Sequence, residues 1–519
     1  MKRILFLTIA LCTLLISGCN RDDARKSILK VYNWADYIDE ELIGEFEEWY
    51  KQETGEDVTV VYQLFDINEI MLAKIERGKE DFDVACPSEY IIERMLKNDL
   101  LLPINKDFGS TPNYLGNVSP YIQEVFNKID GGGKNANDYA VGYMWGTTGF
   151  LYNTKYVTRE EASTWSSLWN AKFDKKLLIK DAFRDVYSPL LIYANQERVK
   201  SGEVTLDELM HDAPDESIAV VEALLKKAKP YVAGWEADFG KEIMTKEKAW
   251  LNLSWSGDAV WAIEEAEAVG VELDYVVPEE GSIVWFDGWV IPKYAKNTKA
   301  AAYFINFMCM PENAIRNMDE IGYVSVIGTP DVMEYMSEAA VEAGVEGTTD
   351  LSYFFGEEAD SVIINSAMYP DRTVIERCAM MHDSGARTPK MLEMWARIKG
   401  DNVPLWNLMI IIISFGVLLV LGIRRKIKKN RKQSHRKPRK ADRQKRRDRL
   451  HCPRQDRGLH RLQPRLRKEA GVPGRQAGLT KRNITGQGLV PARFLCYNAG
   501  NLILIFLFPI SFEISLRST

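Results

Sequence analysis

From Ile28 onward the chain switches repeatedly between two hydrophobic periods. "ILKVYNW" alternates and predicts a strand. In "DEELIGEFEEWYKQETG", Leu42, Ile43, Phe46, Trp49 and Tyr50 recur at helical spacing, acids crowd the first turn and Gly55 suits the stop. "DVTVVYQLF" is a second strand and "INEIMLAKIERG" a helix ending at Gly78. "DFDVACP" is a short apolar strand broken by Pro87, and "SEYIIERMLKNDLL" is a helix with Ser88 as its expected N-cap. Strands alternating with helices predict an α/β domain with a mostly parallel sheet. In such sheets ligands sit at the carboxyl ends of the strands, where Trp34–Tyr37 and Ser88–Tyr90 fall.

The later pattern is less regular. "YAVGYMWGTTGFLYNTKYV" alternates aromatic and small residues and reads as extended chain leaving the first domain. Residues 174–228 are expected to be mainly helical. "KAWLNLSWSGDAVWAIEEAEAVG" runs from a strand through Gly257 into an amphipathic helix, and the stretch from Val271 to Asn297 is strand-rich. "TKAAAYFINFMCMPENA" is a helix stopped near Pro311, and the last helix covers about "RTPKMLEMWARIKG".

Both ends carry patterns of another kind. Lys2 and Arg3 precede an apolar run from Ile4 to Ile16, and "LISGC" matches a bacterial lipobox, which predicts a signal over residues 1–19 and a lipidated Cys19. Residues 405–423 are apolar enough to span a bilayer, and "RRKIKKNRKQ" directly after them puts the C-terminal side in the cytoplasm. Residues 424–519 form a basic tail without periodicity: a disordered tail, a second membrane segment, or translation out of frame or past a lost stop.

The formal net charge of -6 hides an asymmetry: residues 1–400 hold about 40 Lys+Arg against about 67 Asp+Glu, the remainder about 27 against about 6. The acidic part is a poor partner for nucleic acid and draws cations toward its surface. Of seven cysteines, Cys12 and Cys19 belong to the signal and Cys452 and Cys496 to the tail. Cys86, Cys309 and Cys378 remain, with no CxxC and no metal-like spacing, and read as buried thiols whose pairing is open. No cofactor or metal is expected.

Four stretches place aromatics beside carboxylates at expected strand ends: "YNWADY", "SEY", "LSWSGDAVW" and "IVWFDGW". Their shared chemistry is recognition of an organic cation. An indole face attracts a cation by about 0.5–1 kcal/mol when wet and about 2 kcal/mol when desolvated, and a carboxylate adds a charge-assisted hydrogen bond. Asp287, set between Trp285 and Trp289, is expected to be half of an ion pair whose other half is not in the protein.

"LKVYNWADYI", "DVACPSEY", "LSWSGDAVW", "EEGSIVWFDGWVIPKYAKN" and "FINFMCMPENA" together resemble the spermidine/putrescine-binding proteins of bacterial ABC importers, from roughly Leu29 to Lys399 in unbroken order. The resemblance implies the type II periplasmic binding protein fold: two α/β lobes with a ligand cleft, residues 28–143 and 287–331 in lobe 1 and residues 144–286 and 332–400 in lobe 2. It implies a monomer that binds putrescine or spermidine without catalysis and hands it to ABC permease subunits. The place implied is the periplasmic space, with the lipoprotein anchored to the cytoplasmic membrane. Carried over by motif, Trp34, Asp36, Tyr37, Ser88 and Tyr90 would line one lobe's share of the cleft. Asp185, in "KDAFRDVYS", takes the place of a family glutamate; Trp255 and Asp258 come from the other lobe; Trp285 and Asp287 clamp the amine and its stem; Tyr323 adds a further wall.

The sequence departs from the family at Ala35, which lacks a common hydroxyl, at Ala182, where the spermidine branch has an acid, and near Met381 and His382, where that branch offers a glutamine. Asp258 is the putrescine branch's choice, while Tyr90 and Trp285 follow the spermidine branch. This hybrid points to putrescine or a broad diamine preference. An exported glycan-active hydrolase with paired carboxylates is the alternative class. Scattered acids, five histidines and the lack of GxSxG or HExxH count against it. A third class is a membrane-anchored scaffold whose acidic surface keeps it soluble.

Overall fold

The computed structural model describes residues 25–211, 214–237 and 239–400. The leader 1–19 with Cys19, the apolar run 405–423 and the basic tail 424–519 lie outside the described residues. Among those described, no helix is long and apolar enough to cross a membrane.

In chain order, the elements that build the site are β1 (Ile28–Trp34), α1 (Glu41–Thr54), β2 (Thr59–Phe65), α2 (Asn68–Ala73), β3 (Val84–Ala85), α3 (Glu89–Lys97), β4 (Ala140–Asn153) and β5 (Leu177–Lys180). There follow α4 (Phe183–Ala194), β6 (Val232–Glu236), β7 (Leu251–Trp255), α5 (Ser256–Glu267), β8 (Leu273–Val276), β9 (Ser282–Pro292), α6 (Thr298–Met308) and α7 (Thr388–Gly400). Hydrogen bonding joins the strands in the order β2-β1-β3-β9-β4-β7-β5-β6, with β8 also on β4.

Each end of this path is parallel, an arrangement that needs the crossover connections the helices supply. Ile28 of β1 faces Thr59 and Trp34 faces Phe65, while Val31 faces Val84 on β3. At the other end β5 is parallel to both β6 and β7. Between the parallel groups, β4 and β9 run antiparallel, Val284 opposite Thr147 and Val290 opposite Ala140. The second part of β4, Thr148 to Tyr152, pairs with β7. One long strand therefore serves both halves of the sheet.

Every residue of β4 and β9 is buried. Strands covered on both faces need apolar or small side chains throughout, which accounts for the aromatic and glycine texture of these stretches. The flanking helices dock by their apolar stripes. Phe46 of α1, fully buried, meets Phe304 and Phe307 of α6 at ring-centroid distances of 5.1 and 5.6 Å. Cys86, Cys309 and Cys378 are all free thiols.

The span 174–228, expected to be mainly helical, also contains β5. Its four residues are all buried. A run this short has neither the alternation of a half-exposed strand nor enough length to be told from a helical turn.

Candidate functional site

Trp34 ends β1, Lys180 ends β5, Glu236 ends β6 and Trp255 ends β7. A cavity of about 450 Å³ opens at these carboxyl ends. Trp34, Asp36, Tyr37, Ser88, Tyr90, Asp185, Trp255, Asp258, Trp285, Asp287 and Tyr323 all line it. Asp36 is the exposed member, in left-handed backbone (φ +49°) at the turn after β1, a conformation that aspartate tolerates better than most residues.

Asp287 lies where the pairing of β9 with β4 slips a register between Phe286 and Gly288. Such an irregularity turns a side chain out of the strict alternation. Its carboxylate, 5% exposed, accepts the Tyr37 hydroxyl at 2.8 Å on Oδ2 and the Ser88 hydroxyl at 2.6 Å on Oδ1. Burial pushes the Asp287 carboxyl up to about 7; the two hydroxyls pull it back, and Asp185 nearby adds to the rise. Ser88 does occupy the residue before α3, yet its side chain makes no cap. Its proton goes to Asp287, and its oxygen accepts from Asn68 Nδ2 at 2.9 Å. The same amide donates to the Tyr90 hydroxyl at 3.0 Å, fixing that ring.

Across the cavity, Asp185 stands in the first turn of α4 and accepts the Trp255 indole N–H at 2.8 Å. Burial pushes it up to about 6, against the pull of that indole and of Lys180. Asp258, in the first turn of α5, differs from the other two. Its Oδ2 lies 2.5 Å from Lys180 Nζ and its Oδ1 accepts the Tyr323 hydroxyl at 2.9 Å. Among the described residues, Asp258 has a cation partner, while the contacts of Asp185 and Asp287 are to neutral donors.

Two glycines make the aromatic walls fit. A Cβ on Gly146 would stand 2.6 Å from the Trp285 ring and 2.5 Å from Ser256 Oγ. A Cβ on Gly257 would stand 2.3–2.5 Å from three atoms of the Tyr323 ring. The missing side chains let both rings lie directly on backbone, and Trp285 and Tyr323 then meet at 5.7 Å.

The structure adds residues that sequence reasoning missed. Lys180 is wholly buried beneath Trp255, with Nζ 4.1 Å from the indole centroid and 3.2 Å from Glu236. Burial alone would lower its pKa, but Asp258 and Glu236 together hold it above the ordinary lysine value. Arg184 lies over the Tyr90 ring at 4.3 Å and pairs with Glu69 at 3.6 Å, tying α4 to the first turn of α3 and to α2. A lone basic residue in an apolar run gives no periodic signal, so neither could be singled out. Outside the cavity, Asp207, His211 and His382 bring ligand-type atoms within 4.8 Å of one another. The two imidazoles stack at 3.7 Å and 23°, so their ring planes are nearly parallel and lie side by side. His382 bridges Glu93 at 2.9 Å and Asp207 at 3.2 Å.

This arrangement can hold cations: two carboxylates without a charged partner face indole and phenol walls across one cavity. The Escherichia coli spermidine/putrescine-binding periplasmic protein is 30% identical over 310 residues, 59% of this chain and 79% of that one. The putrescine-binding periplasmic protein PotF of the same organism is 28% identical over 314 residues, 58% and 78% of the two chains. A solved Streptococcus pneumoniae structure, the spermidine/putrescine ABC transporter substrate-binding protein PotD with calcium and HEPES, aligns at a TM-score of 0.52 with 29% identity. That alignment covers 72% of this chain and 98% of the other. The family profile of bacterial extracellular solute-binding proteins matches residues 42–346. The chain belongs to that family of bacterial extracellular solute-binding proteins.

Proposed function

We propose that the protein captures putrescine or spermidine outside the cytoplasmic membrane and delivers it to the permease of an ABC importer. The observation that carries this reading is the pair Asp287, buried, and Asp185, half-buried: carboxyl groups raised to about 7 and about 6 by loss of water, facing aromatic walls across one cavity. An ammonium brought between them supplies the missing charge. The burial that destabilises the empty carboxylates strengthens their attraction to it. Trp34, Tyr90, Trp285 and Tyr323 offer faces for the methylene stem, and Asp36 adds charge where the cleft meets solvent. The named relatives bind the same ligand class, which supports the assignment.

In this reading one lobe takes residues 28–143 and 287–331 and the other residues 144–286 and 332–400. Closure follows from ligand contacts made to both. The monomer works in the periplasmic space, held at the cytoplasmic membrane through a lipidated Cys19, with residues 405–423 as a second anchor. The family and the named relatives are binding proteins, which leaves the hydrolase alternative without support. Calorimetric titration of the purified full-length protein with putrescine and with spermidine tests the assignment. Saturable one-to-one binding of at least one amine is expected, with putrescine at least as tight as spermidine. Heatless titrations with both, on folded protein, would refute it.

A further inference from the structure

The end of the cleft beside Trp255 already contains an ammonium group. Lys180 Nζ lies 2.5 Å from Asp258 Oδ2, 2.6 Å from the Ala237 carbonyl oxygen, 3.2 Å from Glu236 Oε1 and 4.1 Å from the Trp255 ring centroid. Two carboxylates, a carbonyl and an indole face are the partners that a free alkylammonium would seek. An ammonium has three N–H donors, and three oxygens from separate groups receive them here. The other oxygen of Asp258 takes the Tyr323 hydroxyl. Lys241, 4.0 Å from Asp258 Oδ1 and over the Trp261 ring at 5.0 Å, adds more positive charge at the same end.

A ligand ammonium could reach Asp258 only by sharing it with Lys180, at the cost of like-charge repulsion a few ångströms apart, or by driving Lys180 away. Driving it away would leave Glu236, wholly buried, without its cation. Of the other carboxylates that line the cavity, Glu69 and Asp181 pair with Arg184 and Lys399, and Asp36 and Asp66 are exposed to solvent, which leaves Asp185 and Asp287 as those holding neutral donors only.

We propose that Lys180 is a tethered ammonium that permanently fills one amine subsite, so that the cleft selects a short diamine held by Asp185 and Asp287 and offers no carboxylate to a third ligand ammonium at its Trp255–Asp258 end. This rests on the reading that the cleft takes a polyamine and sharpens it to ligand length. The residue acts by occupying the place of a ligand atom.

The test is calorimetry on the full-length protein, wild type and Lys180→Met, with putrescine and spermidine. In the variant, spermidine is expected to gain about tenfold or more over putrescine relative to wild type, since one added charge-assisted contact is worth about that factor. A ratio that moves by less than about threefold overturns the proposal while leaving polyamine binding intact. Wild-type protein that binds neither amine overturns both. Because the substitution strips two buried carboxylates of their cation and can unfold the chain, the wild-type complex gives an independent reading. In a crystal structure with putrescine, Lys180 stays on Asp258 and both ligand nitrogens lie toward Asp185 and Asp287. A ligand nitrogen on Asp258, with Lys180 turned away, overturns the proposal without any variant.

Discussion

Replacing Asp287 by asparagine should move binding and stability in opposite directions. The carboxyl sits at about 7 in the empty cleft, against an ordinary 3.8. The sign follows from proton counting. Between pH 4 and pH 7 the folded chain holds this proton and the unfolded chain does not, so stability falls as pH rises through that window and is flat above it. At about 1.36 kcal/mol per unit, a shift near 3 units costs the native state about 4 kcal/mol at pH 8. Asparagine keeps the shape and cannot ionise. It leaves one of the two hydroxyls, Ser88 or Tyr37, facing an amide N–H, which returns about 0.5–1.5 kcal/mol of the gain. The ligand-free variant should therefore be more stable than wild type by about 2.5–3.5 kcal/mol at pH 8 and no more stable at pH 4. Differential scanning calorimetry at the two pH values reads this as a rise of a few degrees in Tm at pH 8 alone. The same variant loses the charged partner of the ammonium, about 1–3 kcal/mol, or roughly 5- to 150-fold in Kd. A Tm unchanged at both pH values together with unchanged putrescine affinity would show that Asp287 is neither strained by burial nor used by the ligand.

Four further outcomes follow from the same geometry. Wild-type putrescine affinity should weaken roughly tenfold from pH 8 to pH 6, because the amine competes with a proton on a group near 7, and Asp287→Asn should flatten most of that slope in pH-dependent calorimetry. Trp255→Ala removes both an aromatic wall and the donor to Asp185, and should weaken amine binding by about 1–3 kcal/mol while the circular dichroism spectrum is kept; equal affinity would remove Trp255 from the site. Gly257→Ala forces a Cβ into the Tyr323 ring and should cost about 1–3 kcal/mol in denaturant melts, an expectation that an unshifted midpoint would defeat. Phe46→Ala empties a fully buried site between α1 and α6 and should destabilise by about 3–5 kcal/mol without changing affinity in the protein that remains folded, a loss of affinity being the adverse result.

The elements that frame the cleft were legible because their patterns are local. Helical spacing marked α1 and α5, and the turns after β1 and β7 carried the aromatics and acids that meet in the cavity. The internal electrostatics were not legible. Lys180 reaches Asp258 and Glu236 across 78 and 56 positions of chain, and nothing near "LLIK" distinguishes a buried cation from a solvated one. Serine before an apolar helix is usually its cap, and Ser88 carries that local signal. A buried carboxylate from a strand 199 positions away accepts its proton instead. Local propensity gives way where a distant charge needs a donor more than a helix end does.

The interleaving of β3, β4 and β9 bears on how the polypeptide is made. Ala85 has Tyr32 on one side and Val290 on the other, so the inner edge of the β1–β3 group has no neighbour until residue 290 has been synthesised. At about 5–20 residues per second, that is a wait of roughly 10 to 40 s. Throughout it the nascent chain presents an open, apolar strand edge, the kind of surface on which strands of other chains can add. β9, the latest of the path's strands along the chain though it lies in mid-sheet, thus acts as a closing clasp.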